Sequence, residues 1–275
     1  MSVIVSVKEL SRRLLDSKLP EKNILVDTRP LNEYLEGHIP GAINIDLMQF
    51  HWIDTSKIGL SQFNRQMKIL FSNLGLTDSK FVVFYDNISG PSASRGVWLS
   101  HYLSNLNSSI LDGGLVEWKA KGLEVQKETN PFTHSKRTTS TNLEVLADLK
   151  MVRSSLSQSS DEKCVLLDCR SEQEFDGHVV RALKRGHIPT AINIDWSCNI
   201  DVENNGRFQS MSVLAETYSA IAKTDKVITY CQGGYRAANT YIVLKMLGYE
   251  RVRMYLGSWG EWGNNPDLPA EEGIL

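Results

Sequence analysis

The strongest constraint on the fold is an internal repeat, because two similar halves of one chain are expected to form two similar units. Residues 25–46 contain Leu-Val-Asp-Thr-Arg and then Gly-His-Ile-Pro-Gly-Ala-Ile-Asn-Ile-Asp. Residues 166–195 contain Leu-Leu-Asp-Cys-Arg and then Gly-His-Ile-Pro-Thr-Ala-Ile-Asn-Ile-Asp. Two further segments correspond in the same order, namely 82–85 with 227–230 and 112–118 with 257–262. The sequence therefore predicts a tandem duplication.

The residues between the two copies have the composition of a linker. Residues 127–142 are rich in Thr, Ser, Lys and Asn and contain one Pro. Such a segment has little apolar surface to bury and favours a connecting loop. We therefore expect an N-terminal domain over 1–126, a linker over 127–142 and a C-terminal domain over 143–275.

Short apolar runs alternate with helical patterns in each half, which is typical of an α/β fold. The predicted strands of the second half are Cys164–Leu167, Ala191–Ile194, Val227–Tyr230 and Val252–Tyr255. Strands separated by helices indicate a parallel sheet flanked by helices on both faces, and ligands bind at the carboxyl ends of such strands. We predict two tandem domains of this kind.

Composition excludes several functional classes. The 275-residue chain has a formal net charge of −2, whereas a nucleic-acid-binding protein usually has an excess of basic residues. No apolar stretch approaches the roughly 20 residues of a membrane span. The N-terminus lacks the pattern of a secretory or organelle presequence. The four cysteines suggest neither a disulfide scaffold nor a metal site. We expect a reduced, cytoplasmic protein with no metal, nucleic-acid or membrane partner.

Cys231 is the candidate nucleophile. It follows a predicted strand and precedes a loop and a predicted helix over 237–247, so its thiol faces a positive helix terminus. The N–H groups of residues 232–236 can form an anion-binding nest, and we expect Gly233 and Gly234 to supply the positive φ values that such a nest needs. Arg236 adds positive charge. These features favour a thiolate.

Two chemistries suit such a thiolate: phosphoryl transfer through a cysteinyl phosphate, and sulfur transfer through a persulfide. Cysteine-dependent phosphatases have five residues between the Cys and the Arg of their loop, and Cys231 and Arg236 are separated by four. The shorter loop favours sulfur transfer over a phosphatase or arsenate reductase. A non-catalytic binding protein is a third class, and the intact loop argues against it.

The first half carries Asp86 where the second carries Cys231, and an aspartate cannot carry sulfur. Residues 87–94 contain a proline and are longer than the loop after Cys231. We expect that this segment does not form the same cradle.

The chain resembles the tandem-domain rhodaneses, the family of thiosulfate and 3-mercaptopyruvate sulfurtransferases. The resemblance rests on the Asp-x-Arg and Gly-His-Ile-Pro-x-Ala motifs of both halves, on the Cys231 loop and on the closing Gly-Ser-Trp-x-Glu-Trp at 257–262. It implies an inactive N-terminal domain and a catalytic C-terminal one, without a cofactor. It also implies that the Cys231 thiolate takes sulfur from a small anionic donor and passes it to cyanide or a thiol, with thioredoxin among the candidate acceptors.

The preferred donor is less sharply indicated. Mammalian-type thiosulfate enzymes have two basic residues where this chain has Gln232 and Gly233, and mercaptopyruvate enzymes typically read Cys-Gly-Ser-Gly-Val-Thr. The loop instead resembles bacterial-type thiosulfate rhodaneses that end in arginine, so thiosulfate is favoured and 3-mercaptopyruvate is the alternative. The candidate substrate-binding residues are Gln232, Gly233, Gly234, Tyr235, Arg236, Arg181 and Arg185.

Two alternatives remain open among these residues. Arg181 and Arg185 lie in an insertion before the second Gly-His-Ile-Pro, where they could bind substrate or form a solvated basic loop. Arg236 could point into the cradle, or brace the loop through Asp168 or Glu174.

Other repeated or conspicuous residues are expected to be structural. The repeat places the same histidines and Asp-x-Arg pairs in an active and an inactive copy, so we expect them to fix turns rather than to act on substrate. The same holds for packing tryptophans and for two cysteines that flank a predicted strand, although the resemblance to the family leaves open that Trp259 lines the mouth of the active-site cleft. These residues are Asp27, Arg29, His38, Trp118, Cys164, Asp168, Cys169, Arg170, His187, Trp259 and Trp262.

Overall fold

The computed structural model describes residues 2–15, 23–76, 80–103, 107–135, 140–157 and 163–273. Residues 136–139 of the expected linker therefore lie outside the described residues. The chain divides into two compact units. Unit 1 comprises Met1–Phe50, Asn64–Asn142 and Ile200–Phe208, and unit 2 comprises His51–Phe63, Leu143–Asn199 and Gln209–Leu275. Each unit thus includes a short segment from the other half of the sequence.

The first half of the chain alternates strands and helices, as its apolar pattern predicts. Its strands are β1 (Ile4–Val5), β2 (Asn23–Asp27), β3 (Ile43–Asn44), β4 (Phe81–Tyr85) and β5 (Ser108–Leu111). Its helices are α1 (Val7–Leu15), α2 (Leu31–Glu36), α3 (Lys57–Asn73), α4 (Pro91–Tyr102) and α5 (Gly114–Ala120), with a 3-10 helix at Leu47–Phe50. The described strands form a parallel sheet in the order β1-β5-β4-β2-β3.

The second half repeats this arrangement with the strand order β6-β12-β11-β7-β8, again parallel. Its strands are β6 (Leu146–Ala147), β7 (Cys164–Asp168), β8 (Ile192–Asn193), β9 (Ile200–Asp201), β10 (Arg207–Phe208), β11 (Lys226–Tyr230) and β12 (Val252–Tyr255). Its helices are α6 (Leu149–Leu156), α7 (Glu172–Phe175), α8 (Met211–Thr217), α9 (Tyr235–Met246) and α10 (Ser258–Trp262), with 3-10 helices at Leu143–Val145, Trp196–Asn199 and Val202–Asn204. Strands β9 and β10 pair antiparallel in unit 1.

These sheets confirm the predicted α/β class. A central parallel strand is covered on both faces and so is apolar along its whole length, as β4 is with all five of its residues buried. Strand β11 pairs with β7 from Lys226 opposite Cys164 to Tyr230 opposite Asp168. The carboxyl ends of β7 and β11 therefore lie side by side, and Cys231 is the first residue beyond this edge. Among the described residues, the structure has no helix long and apolar enough to cross a membrane.

The Asp-x-Arg motifs are buried ion pairs, as predicted. Arg170 donates from Nη2 to Asp168 Oδ2 at 2.6 Å and to the carbonyl oxygen of Gly186 at 2.8 Å. In unit 1, Arg29 donates to Asp27 Oδ2 at 2.6 Å and to the carbonyl of Gly37 at 2.9 Å. Each pair ties the end of a strand to the Gly-His-Ile-Pro turn, which confirms the structural role.

The repeated histidines are also structural. His187 is buried, its ring is stacked on Phe175 with 3.6 Å between centroids, and its Nδ1 lies 2.9 Å from the carbonyl oxygen of Phe175. His38 makes the same two contacts with Tyr34, at 3.7 Å and 2.9 Å. The tryptophans Trp118 and Trp262 are buried as predicted.

Candidate active site

Cys231 lies in a tight loop between β11 and α9, with only 1% of its surface exposed. The N–H of Gly234 donates to its Sγ at 3.1 Å. Gly234 has φ 86°, a value that favours glycine, and this conformation turns its N–H back towards the sulfur just before α9 begins. An anionic sulfur in this loop would receive a hydrogen bond from the backbone and lie at the positive end of a twelve-residue helix.

The loop is also held by α10. The carbonyl of Cys231 accepts from the N–H of Trp259, and that of Gln232 accepts from the N–H of Gly260, both at 2.9 Å. Ser258 has φ 52°, an uncommon value for a residue with a side chain. Its buried hydroxyl accepts from the Cys231 N–H at 3.3 Å and donates to the carbonyl of Tyr255 at 2.9 Å. These bonds fix the backbone of Cys231.

Arg236 braces the loop through Glu174. Its guanidinium donates from Nη1 to Oε2 at 2.5 Å and from Nη2 to Oε1 at 3.0 Å, a bidentate pair. Burial by itself would raise the pKa of Glu174, but the hydrogen bonds and charge of Arg236 outweigh it and lower that pKa to about 2. Burial would lower the pKa of Arg236, and the bonds to Glu174 together with the charge of Cys231 raise it instead. The guanidinium is thus fixed as a cation within electrostatic reach of Cys231.

Two other predicted residues lie beside this pair. Arg181 places Nε 3.0 Å from Glu174 Oε1 and is about half exposed, and Gln232 donates from Nε2 to the carbonyl of Arg181 at 3.2 Å. The insertion therefore contacts the loop through Arg181. Arg185 instead places Nε 3.9 Å from Glu272 Oε1, and both side chains are exposed.

Gly233 corrects one prediction. Its φ is not positive, so backbone conformation does not require glycine there. The reason is space: a Cβ atom at this position would lie 1.9 Å from Cε1 of His51 and 2.4 Å from its Nδ1. The ring of His51 also lies nearly parallel to that of the buried Tyr235, with 6.4 Å between centroids.

His51 belongs to a segment that we call the strap, which consists of residues 51–56 and is part of unit 2. Thr55 fixes the strap: its N–H and its hydroxyl each donate to one carboxylate oxygen of Glu261 at 2.6 Å. The Thr55 hydroxyl also accepts from the N–H of Leu149 at 2.8 Å. The contact between the strap and the Cys231 loop could not be predicted from the sequence. The only signal for it is Gly233, a glycine that the backbone conformation of the loop does not require.

The equivalent loop of unit 1 is closed around its own carboxylate. Asp86 Oδ1 accepts from the N–H groups of Ile88 and Gly90 at 3.1 Å, and Oδ2 accepts from that of Ala93 at 3.2 Å. Burial raises the pKa of Asp86 to about 6, although these bonds oppose the shift. As predicted, residues 87–94 do not form the same cradle; they form a different nest, which the Asp86 side chain fills.

The other cysteines have different surroundings. Cys169 is fully buried, and burial raises the pKa of its thiol well above the ordinary value. Burial also raises the thiol pKa of Cys164 and of the exposed Cys198. Within the described ranges, no group of three or more His, Cys, Asp or Glu side chains is arranged to hold a metal ion.

Fold and site together define a duplicated α/β protein in which a buried cysteine, Cys231, lies in a tight loop at the carboxyl edge of the second sheet and accepts a hydrogen bond from the Gly234 N–H. Comparison with protein families matches the rhodanese-like domain twice, over residues 6–121 and 153–265. The chain belongs to the rhodanese family, which confirms the resemblance seen in its motifs.

Individual relatives agree with this assignment. The chain is 32% identical to the thiosulfate sulfurtransferase of Azotobacter vinelandii, over 98% of this chain and 97% of that protein. It is 29% identical to a protein of Pseudomonas aeruginosa named "Probable 3-mercaptopyruvate sulfurtransferase", over 98% of this chain and 99% of that protein. The solved structure of wild-type EanB matches with a TM-score of 0.83 at 22% identity, covering 99% of this chain and 70% of that one, which supports the fold alone.

Proposed function

We propose that this rhodanese is a thiosulfate sulfurtransferase that carries sulfane sulfur as a persulfide on Cys231. The observation that carries the proposal is the hydrogen bond from the Gly234 N–H to Cys231 Sγ at the start of α9. A donor aimed at the sulfur stabilises negative charge there in both the thiolate and the persulfide. The C-terminal copy is the catalytic one in this proposal, because the nest in unit 1 is filled by Asp86.

In the first half-reaction, the Cys231 thiolate attacks the outer sulfur of thiosulfate. A bond forms between Sγ and that sulfur, and the bond between the two donor sulfurs breaks. The electron pair of the broken bond leaves with sulfite. The cation of Arg236 stabilises the anions present before and after this step, since Glu174 fixes its position.

In the second half-reaction, a thiophilic acceptor attacks the outer sulfur of the persulfide. Cyanide leaves as thiocyanate, and a thiol leaves as a persulfide. The bond to Sγ breaks and its electron pair restores the Cys231 thiolate. Small thiols and a thiol protein such as thioredoxin are the acceptor classes we propose, in the reducing cytoplasm, where free cysteines persist.

The choice of thiosulfate over 3-mercaptopyruvate rests on the loop. The relative named for thiosulfate is 32% identical and that named for mercaptopyruvate is 29% identical, so identity alone separates them little. The Arg236 cation at the end of the loop favours a dianionic donor over one with a single carboxylate, because Coulomb attraction grows with charge. Arg181 and Arg185 are the exposed cations that we propose as an outer recruiting charge.

Steady-state kinetics test the proposal. Thiocyanate formation from cyanide is measured with thiosulfate and, separately, pyruvate formation with 3-mercaptopyruvate. We expect a higher kcat/KM for thiosulfate and no turnover by Cys231→Ser, with Cys198→Ser as the matched control that keeps full activity. A higher kcat/KM for 3-mercaptopyruvate would make that compound, and not thiosulfate, the preferred donor. Turnover of a phosphate ester without sulfur transfer would contradict the proposed sulfurtransferase function.

A further inference from the structure

His51 lies where the side chain of loop residue 233 would be if that residue had one. A Cβ atom on Gly233 would meet Cε1 of His51 at 1.9 Å, and one on Gly260 would lie 3.8 Å from its Nε2 and 3.0 Å from Cγ2 of Ile53. Neither glycine has a positive φ. A side chain at position 233 would therefore overlap the imidazole, whereas one at position 260 would only crowd the strap. The imidazole of His51 lies where the functional group that residue 233 lacks would be.

The strap that carries this imidazole is anchored. Thr55, four residues farther along the strap, is 4% exposed and is held by Glu261 through two hydrogen bonds. Glu261 also accepts a hydrogen bond from the hydroxyl of Tyr255 at 2.7 Å. At the other end of the strap, the ring of His51 faces that of Tyr235, the residue at which α9 begins.

The charge distribution of the loop leaves a role for this group. Gln232 and Gly233 bring no charge, and the guanidinium groups of Arg236 and Arg181 share one carboxylate, that of Glu174. A donor that brings its outer sulfur to the buried Sγ of Cys231 must keep its oxyanion towards the solvent side of the loop, since an unpaired buried anion is costly. The exposed His51 lies on that rim, and an imidazole donates one N–H when neutral and two when protonated.

We propose that His51 is a donor-binding residue that binds the oxyanion of the sulfur donor at the rim of the Cys231 loop. The chemistry it recognises is an anionic oxygen of a small molecule that carries a transferable sulfur, either an oxygen of the SO3 group of thiosulfate or a carboxylate oxygen of 3-mercaptopyruvate. The inference rests on the proposed function, and it adds a donor-binding group from the first half of the sequence to the catalytic unit.

Three variants test it: His51→Ala, Gly233→Ala and the double variant. His51→Ala removes the hydrogen-bond donor, and Gly233→Ala pushes the ring away from the loop without straining the backbone, since that φ is not positive. We expect each single variant to raise the KM for the sulfur donor by about tenfold with kcat changed less than about twofold. The double variant is expected to be no worse than either single variant, because both changes act on one group. His134→Ala, which removes an exposed histidine in unit 1, is the control.

A second readout separates donor binding from loop support. Cys231 is loaded in a single turnover with thiosulfate or with 3-mercaptopyruvate and is then discharged with dithiothreitol, an uncharged acceptor. A donor-binding role slows loading at low donor concentration and leaves discharge unchanged. A KM effect with either donor supports the proposal and identifies the oxyanion as sulfonate or carboxylate.

Unchanged KM values for both donors would overturn the inference, and so would equal slowing of loading and discharge. Additive effects in the double variant would also count against it. Wild-type protein that loads no sulfur would instead refute the proposed function, so the two failures are distinguishable.

Discussion

Arg236 and Glu174 form a bidentate ion pair, with 2.5 Å between Nη1 and Oε2 and 3.0 Å between Nη2 and Oε1. The pair joins the first turn of α9 to α7, and the Cys231 loop leads directly into that turn of α9. Because the Glu174 side chain is only 3% exposed, water screens this interaction weakly. We therefore expect the pair to contribute both to stability and to the electrostatics around Cys231.

Glu174→Gln tests the contribution to stability. The pKa of Glu174 is lowered from an ordinary 4.5 to about 2, so its ionised form stabilises the folded state above pH 4.5 and this contribution is lost as the pH falls towards 2. We expect the difference in unfolding free energy between wild type and Glu174→Gln to shrink by about 2 kcal/mol between pH 6 and pH 3. Urea denaturation at the two pH values measures it. Glu172→Gln, on the exposed side of α7, is the control, and a pH-independent difference would contradict this role of the pair.

Arg236→Lys tests the contribution to catalysis. Lysine keeps the charge but cannot make two parallel hydrogen bonds to Glu174, so the cation is no longer held at one place. We expect the rate constant for loading Cys231 with sulfur to fall by about tenfold or more, a loss of roughly 1.4 kcal/mol in transition-state stabilisation. Single-turnover sulfite release measures it, with Arg153→Lys on α6 as the control. An unchanged loading rate would show that the bidentate geometry is unnecessary.

The contribution of Asp86 to stability should depend on pH in the opposite direction to that of Glu174, and Asp86→Asn tests this. Burial raises the pKa of Asp86 from 3.8 to about 6, so the folded state favours the protonated acid. Its contribution to stability is present below about pH 4 and is lost as the pH rises through 6. Wild type should therefore lose about 2 kcal/mol of unfolding free energy relative to Asp86→Asn between pH 4 and pH 7.5. Parallel stability curves would refute this, and sulfur loading of Cys231 should be unaffected by the change.

Much of the fold could be predicted because the relevant interactions are local. The motif Asp168-x-Arg170 fixes a strand end through residues two apart, and its repetition as Asp27-x-Arg29 identifies the duplication. The position of Cys231 between a strand and a helix could be predicted for the same reason, since strand, loop and helix follow one another in the sequence. These predictions needed only the pattern of neighbouring residues.

The parts that sequence could not supply depend on tertiary contacts. Arg236 had two candidate directions, and only the proximity of Glu174 on another helix selects one. His51 belongs to no motif that would link it to the Cys231 loop, which is far away in the sequence. The sequence predicts a positive φ at Gly233, whereas the structure shows that a side chain there would collide with His51. A glycine in a functional loop can be required by a positive φ or by a neighbouring group that leaves no room for a side chain, and the φ value distinguishes the two cases.

The intact mass of the protein after exposure to a sulfur donor shows whether Cys231 carries a persulfide. Wild type, Cys231→Ser and Cys198→Ser are each incubated with thiosulfate and separated from excess donor. Their intact masses are then measured by mass spectrometry. We expect a gain of one sulfur atom in wild type and Cys198→Ser, its loss on adding cyanide, and no gain in Cys231→Ser. An unchanged mass with both thiosulfate and 3-mercaptopyruvate, or a gain that persists in Cys231→Ser, would contradict a persulfide on Cys231.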